Sequence, residues 1–285
     1  MPAPIIAAVD GSASALDAVR HAARDARQHN LPLRLLHAYP PPPPRLPAAL
    51  DPDDAWVAAM TERGDRILAE AAAVARATGV EPVLDQRMGP PSTVLAAASE
   101  DAYEIVLGSR GLGGFRGLIA GSLALSMAAH AHCPVVVVRG SAPEDGPVVV
   151  GVDGSPVSEA ALAFAYEQAA RRGVALRAVH AWQDTAYTGG YVAIPILVDW
   201  DAVVQDETAL LAERLAGWAE KYPEVRVERF VVRSQAARAL LDLAEGAQLV
   251  VVGSRGHSPL VGVGFGTTAQ AVLHHAECPV AVVRP

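Results

Sequence analysis

An internal duplication constrains this chain more than any other feature. Ile6-Ala7-Ala8-Val9-Asp10-Gly11-Ser12 returns as Val149-Val150-Gly151-Val152-Asp153-Gly154-Ser155, an offset of 143 residues. Val106-Leu107-Gly108-Ser109-Arg110-Gly111 returns as Val251-Val252-Gly253-Ser254-Arg255-Gly256 at an offset of 145, and Cys133-Pro134-Val135 as Cys278-Pro279-Val280 at the same offset. Only two residues of net length change separate the anchors, so both halves must fold alike. The stretch Gly140 to Pro147 is rich in Gly, Pro and acid and makes the natural boundary. Domains at 1–143 and 146–285 follow, and a length of 285 residues agrees with two domains at roughly 150 each.

Within each half, short apolar runs alternate with helical spacing. Half one predicts strands at Ile5 to Val9, Leu33 to His37, near Val83, at Ile105 to Leu107 and at Val135 to Val138. Helices are predicted from about Ser14 to Gln28, Asp53 to Thr78, Ser92 onward and Gly121 to about Ala131. Continuous β-branched runs such as Val135 to Val138 suit parallel strands buried on both faces. Five strands separated by helices give a doubly wound α/β sandwich in each half, with right-handed crossovers.

The glycines then acquire a position. Val251 to Thr268 carries five of them in a segment that starts as a buried strand and ends as a helix start. In an open parallel sheet the ligand crevice lies beyond the carboxyl ends of the strands, where strand order reverses. Asp10 and Gly108 fall at such ends, as do Asp153 and Gly253. Nine residues follow Gly111 before Gly121-Ser122, and nine follow Gly256 before Gly266-Thr267. A helix N-terminus presents unpaired N–H groups and a partial positive charge, which suits an anion such as a phosphate. Glycine there lets the backbone approach it, and the following hydroxyl can cap the helix or donate.

Composition excludes several partners. The formal charge of −8 lacks the basic balance of a nucleic-acid binder. The first residues have no basic run and reach Asp10 early, and no apolar stretch approaches 18 residues, so neither a signal peptide nor a membrane span is expected and a cytoplasmic location is. Cys133 and Cys278, each before Pro and an apolar run, read as small buried hydrophobes. No metal site is expected.

The pattern G-2x-G-9x-G-[S/T], with Asp-Gly-Ser after the first strand and Cys-Pro before the last, resembles the ATP-binding universal stress proteins in their tandem two-domain form. The resemblance spans nearly the whole chain. It implies two Rossmann-like units of the adenine nucleotide alpha hydrolase type, each a five-stranded parallel sheet, with one ATP per domain, with or without Mg²⁺. Gly108, Gly111, Gly121 and Ser122, and Gly253, Gly256, Gly266 and Thr267, match the phosphate and ribose loop. Asp10 and Asp153, followed by Gly11 and Gly154, match the acid that contacts the nucleoside. Ala38 and Ala181 match the residue whose backbone holds adenine. Ser109, Arg110, Ser254 and Arg255 complete the implied ATP contacts. The resemblance further implies a homodimer through the last strands, Val135 to Val138 and Val280 to Val283, an unidentified regulatory partner, and a role in stress, hypoxia and growth arrest.

Plainer readings stand beside these. The aspartates could cap their own Asp-Gly-Ser turns, and Arg110 and Arg255 could be solvated loop charges or phosphate ligands. His37 and His180 read as satisfied strand-end histidines before catalysts, and Pro40 to Pro44 as a polyproline linker or lid. Phosphoryl transfer needs a charge set that the sequence does not display: there is no GxxxxGK[ST], and the only lysine is Lys221. Binding is therefore expected over catalysis, with hydrolysis weak at most. Gly89-Pro90 in half one faces Ser234-Gln235 in half two, which alters a turn beside the site.

Overall fold

A computed structural model describes residues 2–42, 52–111, 121–140, 142–143, 145–183, 199–256 and 265–284. Parts of three sequence expectations lie outside them: Pro43 and Pro44 of the proline run, the interior of both glycine loops, and Ser141 and Glu144 of the boundary. The chain divides into two compact units, Met1–Gly140 with Pro279–Arg284, and Ser141–Cys278.

The first unit runs β1 (Ile5–Ala8), α1 (Ala13–His29), β2 (Leu33–Tyr39), α2 (Pro52–Ala77), β3 (Val83–Met88), α3 (Pro91–Ala98), β4 (Glu104–Gly108), α4 (Ser122–His130) and β5 (Val135–Val138). The second repeats it as β6 (Val148–Gly151), α5 (Pro156–Arg172), β7 (Leu176–Trp182), α6 (Trp200–Lys221), β8 (Val227–Arg233), α7 (Ala236–Leu243), β9 (Leu249–Gly253) and α8 (Thr267–His275), followed by β10 (Val280–Val283). Helix ends follow local chemistry. Ser12 and Ser155 accept the N–H of Ala15 and Ser158 at the starts of α1 and α5. Asn30 and Gly173 close the same helices in the left-handed conformation.

Sheet order is β3-β2-β1-β4-β5 in the first unit and β9-β6-β7-β8 in the second, parallel throughout. Both faces are covered, so Ile5, Ile6 and Ala7 are fully buried, as are Val148, Val149 and Val150. Helix α1 meets its sheet through Ala15, Ala18, Val19, Ala22 and Ala26, a 3.6-residue stripe of mostly alanine that permits close approach. Strand order reverses between β1 and β4, where Ala7 pairs with Val106, and between β6 and β9, where Val150 pairs with Val251. The crevices predicted from the repeat therefore open beyond Asp10 and Gly108, and beyond Asp153 and Gly253.

One expectation is corrected. Strand β10 pairs antiparallel with β5, Val280 opposite Val137 and Val282 opposite Val135, within the first compact unit. The two last strands are thus not association edges offered to another chain. Both are valine-rich and buried on both faces, and tethering in one chain makes their union intramolecular.

Candidate functional site

Each crevice begins at an Asx turn. Asp10 Oδ1 accepts the Ser12 N–H at 2.9 Å, and Asp153 Oδ1 accepts the Ser155 N–H at 3.0 Å and its hydroxyl at 2.6 Å. The turn needs a positive φ at its second residue, which Gly11 (+87°) and Gly154 (+78°) supply. The plain reading of the aspartates is thus realised, yet both also line a cavity. The other carboxylate oxygen explains a loop glycine. A Cβ on Gly111 would lie 2.7 Å from Asp10 Oδ2, and one on Gly256 2.5 Å from Asp153 Oδ2.

The loop closes by its backbone. Gly121 N–H donates to the Ser109 carbonyl at 2.9 Å, and Gly266 N–H to the Ser254 carbonyl at 2.8 Å. Ends of the motif separated by nine residues therefore meet, and Gly121 and Gly266 become the N-caps of α4 and α8. Unlike α1 and α5, these helices have a glycine N-cap with no side-chain bond, so no N-cap oxygen covers their first-turn amides. Among the described residues, a Cβ on Gly121 would meet nothing closer than the Ser109 carbonyl oxygen at 3.5 Å, so packing against them does not demand glycine there. Gly108 differs: a Cβ would fall 2.6 Å from the Ser14 backbone, which makes this glycine a seat for α1.

Asp10, Ala38, Gly108, Arg110, Gly111 and Gly121 all line the first-unit cavity, together with Pro91 and Leu95 of α3. The second-unit cavity is lined by Asp153, Ala181, Gly253, Arg255, Gly256 and Gly266. Thr267 joins it as expected, and Gln183, Ser234 and Leu240, which are not among the expected site residues, line it too. Their one signal was the altered turn at Ser234-Gln235. Five expected residues are not among the lining: Gly11, Gly154 and Ser122, and also Ser109 and Ser254, which are buried and act through their carbonyls. The cavities measure about 160 Å³ in the first unit and about 540 Å³ in the second.

The histidines have other work. His37 Nδ1–H donates to the Val9 carbonyl at 2.7 Å, and His180 Nδ1–H to the Val152 carbonyl at 2.7 Å, each fixing the residue before the site aspartate. His180 Nε2 also meets Glu207 at 2.8 Å. Lys221 lies over the rings of Trp218 and Tyr222, 5.2 Å from each centroid, and lines neither cavity. Cys133 is buried, and burial, reinforced by the charge of Glu104, pushes its thiol up to about 12. Among the described residues no group of three or more His, Cys, Asp or Glu could hold a metal ion. Among them, too, no helix is long and apolar enough to cross a membrane.

Comparison with known proteins agrees with this architecture. Residues 1–139 and 146–284 each match the Universal stress protein family. A universal stress protein of Mycobacterium tuberculosis is 39% identical over 98% of this chain and 96% of its own length. One of Mycolicibacterium smegmatis is 38% identical over 99% and 97%. The crystal structure of a universal stress protein from Archaeoglobus fulgidus superimposes with a TM-score of 0.73 at 20% identity, covering 99% of this chain and 98% of that one, which bears on fold alone.

Proposed function

The chain belongs to the universal stress protein family, and on that premise we propose that it is a cytoplasmic ATP-binding regulator, whose occupancy biases its association with itself or a protein partner during stress, hypoxia and growth arrest. One observation carries this reading. In both units an uncapped helix N-terminus, a closed glycine loop and a carboxylate border one cavity at the reversal of strand order.

The chemistry sorts a nucleotide along that cavity. Backbone amides of α4 and α8 and the guanidinium groups of Arg110 and Arg255 suit phosphate oxygens. Asp10 and Asp153 accept hydrogen bonds and repel phosphate, so they suit ribose hydroxyls. The apolar floor, Leu36 and Leu95 in one unit and Val179 and Leu240 in the other, suits a base. Bound Mg²⁺ would come with the phosphates. Turnover is slow at most, because the arginines are the cationic side chains lining the cavities among the described residues, while the histidines are held by carbonyls.

Self-association does not use the last strands, which are paired within the chain. Native mass spectrometry with added ATP tests the reading. The parent is expected to carry nucleotide and a Gly121→Glu plus Gly266→Glu variant to lose it; a parent that binds none rejects it.

A further inference from the structure

The two units differ in the residues around their cavities. At corresponding positions around the cavity, Ala8 is Gly151, Ala15 is Ser158, Leu36 is Val179 and Leu123 is Thr268. Each exchange removes apolar bulk or adds a polar atom in the second unit. Beside these exchanges stands a difference in size, about 160 Å³ in the first unit and about 540 Å³ in the second. Cavities that enclose small ligands run from roughly 300 to 1,000 Å³, so the second lies inside that range and the first well below it.

The larger cavity also reaches further across its sheet. Its phosphate end is at Gly253 and Gly256, after β9, and its far end is at Gln183 and Ser234, which directly follow β7 and β8. From β9 to β8 is three strand spacings, about 14 Å at ~4.8 Å each. The Ser234 N–H donates to the Trp182 carbonyl at 3.2 Å, which joins the two ends next to Ala181. The first unit makes the same backbone bond from Gly89 to Tyr39, at 2.8 Å. There, however, Pro40 stands for Gln183 and Gly89 for Ser234, and neither lines the smaller cavity. An amide and a hydroxyl are replaced by groups that cannot hydrogen-bond through a side chain.

Resting on the ATP reading, we infer that the second unit holds the principal nucleotide site, and that Gln183 and Ser234 are its base-reading side chains. The first unit has the phosphate cradle without the base-reading end. One high-affinity nucleotide per chain follows, and the regulator responds through one unit.

Photolabelling of the full chain with 8-azido-ATP, read by peptide mapping, together with titration calorimetry, tests this. One tight equivalent per chain is expected, with adducts confined to peptides of the second unit. Gln183→Ala plus Ser234→Gly is expected to weaken ATP about tenfold or more while GTP changes little, with the circular dichroism melt unchanged. Two equivalent sites, adducts spread equally over both units, or no loss in the double variant would overturn the inference and leave the ATP reading standing. A parent that binds neither ATP nor its analogue would remove that reading and the inference with it.

Discussion

Asp153 and Gly256 stand so close that the chain has no room for a side chain at the loop position: a Cβ on Gly256 would fall 2.5 Å from Asp153 Oδ2. Asp10 and Gly111 repeat the relationship at 2.7 Å. Two pieces of sequence about a hundred residues apart are thereby locked into one rim. Gly256→Ala must push the carboxylate aside or open the loop. The expected result is a loss of about 1–3 kcal/mol in stability, measured by denaturant unfolding, with ATP affinity in the second unit falling as well. Unaltered affinity would mean that Asp153 takes no part in binding.

Gly108→Ala should separate folding from binding. Its Cβ would strike the Ser14 backbone at 2.6 Å, and backbone cannot rotate away. Overpacking of this kind costs about 1–3 kcal/mol, so the thermal midpoint is expected to fall further than for Gly121→Ala, whose Cβ has ordinary clearance from the described residues. Differential scanning calorimetry of the two variants checks the order.

His37→Asn and His180→Asn address catalysis. Both rings are held by strand carbonyls, and His180 also by Glu207. Loss of a buried hydrogen-bond partner costs about 1–3 kcal/mol, so both variants should be less stable. Any slow ATP turnover should persist in the folded variants; its disappearance would restore the histidines as catalytic candidates.

Cys133 predicts alkaline behaviour. Its thiol is raised to about 12 in the native state by burial, with Glu104 adding to the effect, whereas an exposed thiol ionises near ~8.5. A raised native value means that the contribution to stability is complete below the unfolded value and lost as pH climbs toward the native one. Cys133→Ala should therefore soften the loss of stability between about pH 8.5 and pH 12. Native protein at pH 8 should react slowly at this position with a thiol reagent and rapidly once unfolded.

Much of this was legible in the sequence because it is repeated. The twin Asp-Gly-Ser and glycine-loop anchors located the strand ends, the order of elements and most of the rim, since strand ends and helix starts are set by local chemistry. Pairing of β5 with β10 was not legible, because apolar strands declare that they are buried and not which edge they meet. Nor did composition reveal that Ser109 and Ser254 act through their carbonyls, a role open to any residue with a peptide group. Gln183 and Ser234 escaped because the repeat highlights what the halves share, and these residues lie where they differ.

In the proposed function, amides at the starts of α4 and α8 hold the phosphates. Amide chemical shifts of isotope-labelled protein, followed as ATP is added, test it most directly. The largest movements are expected at Gly256 and Gly266 to Ala269, with smaller ones at Gly111 and Gly121 to Ala124. Saturable binding that leaves all of these amides in place would contradict it.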